Sequence, residues 1–251
     1  MKLLATFLLL LAVTGCATGR DAQPQFGKAN PAAYHYQMGL SYLGERNYTS
    51  ALIELTEAEK LDPDNPDLLY NLGMAYLGKR RPDLAEIRLQ KAVAFRPNNS
   101  AARNDLGVAY LEMKRWDSAI QQFKIVKDDI FYENSENAAI NLGLAYLGNG
   151  DYTKAQEELR AVIAANPRNP VAQVSLGRVW FAMEKNEQAV AAFKKALEIY
   201  KDYGAAHYYL GLAYLKAKNL DGARTAFKEA ARLIPDSDQG KASLQYLDAL
   251  K

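Results

Sequence analysis

Leu142-Gly143-Leu144-Ala145-Tyr146-Leu147 returns letter for letter at Leu210 to Leu215, and close variants stand at Leu72 to Leu77 (LGMAYL) and Leu106 to Leu111 (LGVAYL). Looser copies begin at Met38 (MGLSYL) and Leu176 (LGRVWF). The glycines of the six copies, Gly39, Gly73, Gly107, Gly143, Gly177 and Gly211, follow one another at steps of 34, 34, 36, 34 and 34 residues. A period that regular across a chain of 251 residues marks stacked repeats rather than one globular core.

Each unit reads as two helices. In the fourth, Ala138, Leu142, Ala145 and Tyr146 share one helical face, and Tyr152, Ala155, Leu159 and Val162 share another. Steps of three and four define those faces, while Gly148-Asn149-Gly150-Asp151 between them and Asn166-Pro167 after them are breakers, so the unit is a helical hairpin. Three positions are nearly constant when the units are aligned. Glycine holds the eighth, an aromatic the eleventh (Tyr42, Tyr76, Tyr110, Tyr146, Trp180, Tyr214), and alanine the twentieth (Ala51, Ala85, Ala119, Ala155, Ala189, Ala223). The twenty-fourth is large and apolar: Leu55, Leu89, Phe123, Leu159, Phe193 and Phe227. A helix-interior glycine costs about 1 kcal/mol relative to alanine, so its recurrence needs a packing reason. Small residues at positions eight and twenty are expected to let the two helix axes approach, with the large residues filling the space between hairpins. Pro63, Pro97, Pro167 and Pro235 stand where second helices must stop.

This pattern resembles the tetratricopeptide repeat, in six units at 32–65, 66–99, 100–135, 136–169, 170–203 and 204–237. The resemblance implies an all-α fold, a right-handed superhelical solenoid of six hairpins. Leu244, Leu247 and Leu250 recur at steps of three, so 238–251 is expected to form a helix that caps the last hairpin.

The first residues are of another kind. Met1-Lys2, an apolar run from Leu3 to Val13 and then Thr14-Gly15-Cys16 read as a signal peptide over 1–15, with a run too short to span a bilayer. Cys16 is the only cysteine, so no internal disulfide forms and the alternatives are a free or intermolecular thiol or a lipid-bearing one. Val13-Thr14-Gly15-Cys16 resembles the bacterial lipobox, which implies lipidation of Cys16 and an anchored N-terminus. Ala17 in place of aspartate after it resembles an outer-membrane sorting signal. Residues 16–31, with Pro24, Pro31 and no apolar periodicity, are expected to form a flexible tether.

Composition narrows function further. Apolar content of 49% excludes a disordered chain, and a net charge of +2 argues against a nucleic-acid surface. His35 and His207 hold equivalent positions five repeats apart and cannot share a metal or a proton relay. Gly148-Asn149-Gly150 follows a helix rather than a strand, so it is a turn and not a phosphate loop. Neither a catalytic constellation nor a cofactor or metal motif is present, and an enzyme is not expected.

The first helix of each unit should line a concave surface of the kind that binds extended or helical segments. The candidate groove residues are Tyr36, Leu40, Tyr70, Met74, Asn104, Val108, Leu144, Arg178 and Tyr208, with the amides of Asn71 and Asn141 at its edge. For the leucines, packing against the neighbouring second helix is the competing reading. The third unit carries two extra residues, and its connector, with Phe131 and Tyr132, is either a tolerated insertion or a loop that touches a partner.

Lipobox, tether, six units and the aromatic connector together resemble the type IV pilus biogenesis and stability lipoproteins, the PilF/PilW pilotins. That resemblance implies a periplasm-facing outer-membrane protein, held by lipid on Cys16, that binds secretin subunits and promotes their assembly. The alternative with the same anchor and groove is a general envelope adaptor, serving polysaccharide export or peptidoglycan enzymes.

Overall fold

The computed structural model describes residues 30–250; the expected signal peptide, Cys16 and the expected tether up to residue 29 lie outside them. Among the described residues there are thirteen α-helices and no strand. Six hairpins follow in order: α1 (Pro31–Gly44) with α2 (Tyr48–Leu61), α3 (Pro66–Gly78) with α4 (Pro82–Phe95), and α5 (Ser100–Glu112) with α6 (Trp116–Lys127). Then come α7 (Ser135–Asn149) with α8 (Tyr152–Ala165), α9 (Pro170–Ala182) with α10 (Asn186–Ile199), α11 (Gly204–Lys216) with α12 (Leu220–Leu233), and finally α13 (Asp238–Ala249). This is a tetratricopeptide solenoid.

The helix starts follow from local chemistry. Asn30, Asn65 and Asn169 each accept a backbone N–H of the first turn, from Ala33 (3.1 Å), Leu68 (3.2 Å) and Ala172 (2.9 Å). A proline follows each asparagine, where its missing N–H costs nothing. The first helix therefore takes in Pro31, the residue at which the expected tether closes.

Layering follows from which helices touch. Every first helix contacts its own second helix, the preceding second helix and the first helices on either side, whereas the second helices of neighbouring units are not in backbone proximity. The first-helix layer is thus the tighter, inner wall of the curve and the second-helix layer the wider, outer one. Helix α13 contacts α12 and α11, the place a seventh first helix would take, which makes it the cap the sequence calls for. Its Tyr246 stacks on Phe227 at 4.8 Å, and Gly240 lies so close to the Ile234 carbonyl that a Cβ there would stand 1.9 Å from the oxygen.

The side chain that lies on the repeated glycine is the large one at the twenty-fourth position. A Cβ added at Gly39, Gly73, Gly107, Gly143, Gly177 or Gly211 would stand between 2.5 and 2.7 Å from a side-chain carbon of Leu55, Leu89, Phe123, Leu159, Phe193 or Phe227 respectively. The glycine is a seat for the large side chain of its own hairpin. Both the large side chain and that alanine are fully buried in all six units.

The turn inside each hairpin is also conserved in shape. Arg46, Arg80, Lys114, Glu184 and Lys218 have φ between 56° and 62°, and Gly150 has φ 84°. From the residue directly after each, a backbone N–H reaches back to the carbonyl of the aromatic at the eleventh position, as from Arg115 to Tyr110 (2.8 Å) and from Asp151 to Tyr146 (2.9 Å). Those carbonyls are end-of-helix acceptors that would otherwise lack a partner. Five of the six turns place a side chain in left-handed backbone, at a cost of about 1–2 kcal/mol each.

Two outcomes are expected from chemical denaturation. Gly107→Ala, whose Cβ meets the rigid Phe123 ring, should lose about 1–3 kcal/mol. Lys114→Gly should gain up to about 1 kcal/mol, whereas Gly150→Ala should lose about 1 kcal/mol.

Candidate protein-binding groove

All the sequence-predicted groove residues fall on first helices: Tyr36 and Leu40 on α1; Tyr70, Asn71 and Met74 on α3; Asn104 and Val108 on α5; Asn141 and Leu144 on α7; Arg178 on α9; Tyr208 on α11. Met74 is exposed and the others are half-buried. Val108, Leu144 and Leu147 pack against the main apolar core, so their outer edges alone border the groove.

The side chain at the fifth position of one first helix meets the sixth of the next. The Asn71 Nδ2 donates to the Tyr36 hydroxyl (3.0 Å) and to the Asp67 carbonyl (2.7 Å). Its amide is therefore engaged within the protein, where it fixes the Tyr36 ring, rather than offered at the groove edge. Burial, then the nearby Asp67 carboxylate, raises the Tyr36 pKa above its usual value. The next rung pairs Tyr70 with Asp105 through their side chains. Burial and Asp105 push the Tyr70 phenol well above the normal range, so it stays protonated and donates.

Asp105 is the residue that sequence reasoning passed over. It occupies the sixth position, where the second and fourth units carry Asn71 and Asn141, so a charge replaces a neutral amide inside the groove wall. Burial pushes its carboxyl up to about 6, and hydrogen bonds from Asn104 and Tyr70 only partly oppose that. Asn104 Nδ2 donates to it at 3.1 Å, while the Asn104 carbonyl oxygen is buried with no hydrogen-bond partner. No cation among the described residues lies within ion-pairing distance of Asp105. The available signal was an acidic residue in mid-helix directly before the apolar run that starts at Leu106, since Asp67 and Glu136, by contrast, sit in first turns.

The connector after α6 is not a free loop throughout. Asp129 accepts from the Ser100 hydroxyl and from the Phe131 N–H (3.0 Å), which anchors the start of the segment to α5. Tyr132 is half-buried within electrostatic reach of both Asp105 and Tyr70, and burial followed by Asp105 raises its pKa. Ile130 and Phe131 point away, 87% and 88% exposed. The two connector residues singled out from the sequence thus part company: Tyr132 joins the groove cluster and Phe131 faces solvent.

At the C-terminal end the lining is aromatic. The Arg178 guanidinium lies 5.2 Å from the Tyr209 ring centre, and Tyr208 packs edge-on against Tyr209 and near Phe227. The two histidines are ordinary packing residues: the His35 ring bonds Glu54 (2.8 Å) and the His207 ring the Lys201 carbonyl (2.9 Å). Among the described residues no group of three or more metal-ligating side chains converges, and no helix is long and apolar enough to cross a membrane.

The solenoid of first-helix grooves is that of a tetratricopeptide repeat protein, and a family model described as tetratricopeptide repeat matches residues 36–100, 73–130, 140–203 and 181–238. The chain belongs to that family. Its fold is similar to the crystal structure of PilW, a widely conserved type IV pilus biogenesis factor, with a TM-score of 0.71 and 19% identity over 86% of this chain and 99% of that one. It is similar as well to PilF of Pseudomonas aeruginosa (TM-score 0.63, 21% identity, 88% of this chain and 99% of that one). A tetratricopeptide repeat protein from Parabacteroides merdae superposes with a TM-score of 0.78 at 18% identity, over 90% of this chain and 87% of that one. Among curated proteins, DnaJ homolog subfamily C member 3 of Bos taurus is 29% identical over 132 residues, half of this chain. The match spans about a quarter of that relative's length, 26%.

The raised carboxyl makes a pH prediction. A carboxyl with a folded pKa near 6, above its unfolded value, adds stability below about pH 4 that is lost as pH rises through 6. Asp105→Asn should therefore melt higher than the parent at pH 7, by roughly 1–3 kcal/mol, and the two should converge as pH falls toward 4 in pH-dependent thermal unfolding.

Proposed function

We propose that this protein is an outer-membrane-anchored scaffold lipoprotein whose inner groove binds secretin subunits and promotes their assembly into the type IV pilus pore, as a pilotin. One observation supports the reading: the likeness of fold extends over 99% of the solved PilW and PilF chains. The lipobox-like Val13-Thr14-Gly15-Cys16, outside the described residues, supports a lipid on Cys16 that holds the scaffold at the membrane. Several acyl chains would anchor it stably where a single one would not.

The groove chemistry fits a protein client better than a small molecule. Tyr36, Tyr70 and Tyr208 offer apolar bodies with polar tips, and Met74 offers an adaptable apolar contact. The partner segment is apolar along one side, so that its burial on the wall drives binding.

A second reading, a general envelope adaptor, is favoured by the superposition on the Parabacteroides merdae protein, since the same solenoid extends beyond PilW and PilF. Deleting the gene and assaying secretin multimers and surface pili separates the two. The pilotin reading predicts loss of both; normal multimers would leave the adaptor. Cys16→Ala should move the protein from the membrane to the soluble periplasmic fraction. Tyr70→Ala with Met74→Ala should lower recovery of the partner on the membrane-bound protein at least tenfold.

A further inference from the structure

Among the described residues, a pocket in the groove brings apolar walls against a charge. Between the first three hairpins, Leu43 of α1 with Met74 and Leu77 of α3 form one side, and Asp105 of α5 closes it. Its volume of about 400 Å³ exceeds that of a single long side chain and its mouth is open. Tyr48 and Arg46 stand at its outer rim, the latter exposed and beyond ion-pairing distance of Asp105.

Three features of Asp105 bear on what belongs there. Its neighbours are neutral: the Asn104 amide donates to it at 3.1 Å, and the half-buried Tyr70 phenol lies within electrostatic reach. Tyr132 of the connector adds another half-buried phenol nearby. No cation among the described residues pairs with it, although cations elsewhere are paired, as Arg88 is with Glu59 (3.0 Å) and Arg96 with Asp67 (2.6 Å). A charge withdrawn from water without a counter-ion is costly in the free protein, and a cation brought by a ligand removes that cost.

We propose that this pocket receives one lysine or arginine side chain of the bound segment, its alkyl stem lying on Leu43, Met74 and Leu77 and its cationic head pairing with the Asp105 carboxylate. Long basic side chains suit such a site because stem and head have opposite needs, apolar surface and an acceptor. The inference rests on the reading of the groove as a polypeptide-binding surface and adds to it the residue that specifies the segment. It makes the client apolar with a basic residue at one position, and it makes position six of the third unit the point at which this groove discriminates.

The test uses the full chain in detergent and three small probes, N-acetyl-lysinamide, N-acetyl-argininamide and the uncharged N-acetyl-norleucinamide. Binding is followed by the carbon resonance of the Asp105 carboxyl, whose titration also reports pairing. The two cationic probes should bind at least tenfold more tightly than the norleucine probe and move the Asp105 titration to lower pH. Asp105→Asn, expected to fold at least as stably as the parent, should abolish the difference between charged and uncharged probes. Equal binding of all three probes, an unmoved titration, or undiminished preference in Asp105→Asn would overturn the proposal. Because the readout involves no secretin, it stands or falls separately from the pilotin reading.

Discussion

Six large side chains seated on six glycines set the geometry from which everything else follows. Each seat lets the second helix of a hairpin lie closer to the first than any Cβ would permit, and the alanine at the twentieth position keeps the rest of that contact thin. Because the seat is repeated with one period, every hairpin has nearly the same shape, and identical shapes stack with a constant offset. Tight contact among first helices and none among the second makes the stack curve, and that curvature turns the first-helix faces into a single groove. The wall is then dictated by only a few positions per unit.

Much of this was legible because the repeat prints each contact six times. Unit boundaries, hairpins, the cap and the assignment of groove residues to first helices all came from recurrence. The partner of the glycine did not: periodicity shows that Gly107, Ala119 and Phe123 are constrained but not which of the two touches the glycine, since both lie on the facing helix. The left-handed turns were legible only at Gly150, because Arg46, Arg80, Lys114, Glu184 and Lys218 are residue types that give no conformational sign. There the cost is borne by the hydrogen bonds that close the helix end, which a linear pattern does not display.

The site divides along the same line. Tyr36 and Tyr70 at the fifth position were visible as a pair, whereas their partners at the sixth position of the next unit differ, Asn71 and Asp105, so the rung between units is a tertiary fact. Asn71 reads as a free amide until Tyr36 is found beside it. Asp105 reads as a surface acid until its desolvation is seen, and Tyr132 as one of two loop aromatics until the connector is found to turn it toward Tyr70. Within this groove the departures from the repeat are concentrated in the third unit, in α5 and the connector that follows it.

The account places the client on the inner wall and nowhere on the outer one. A photo-crosslinking amino acid inserted in place of Met74, in the groove, and separately in place of Ile87, exposed on α4 in the outer layer, compares the two walls in the intact cell envelope. The account predicts a secretin adduct from position 74 and none from position 87. An adduct from position 87 alone would contradict it.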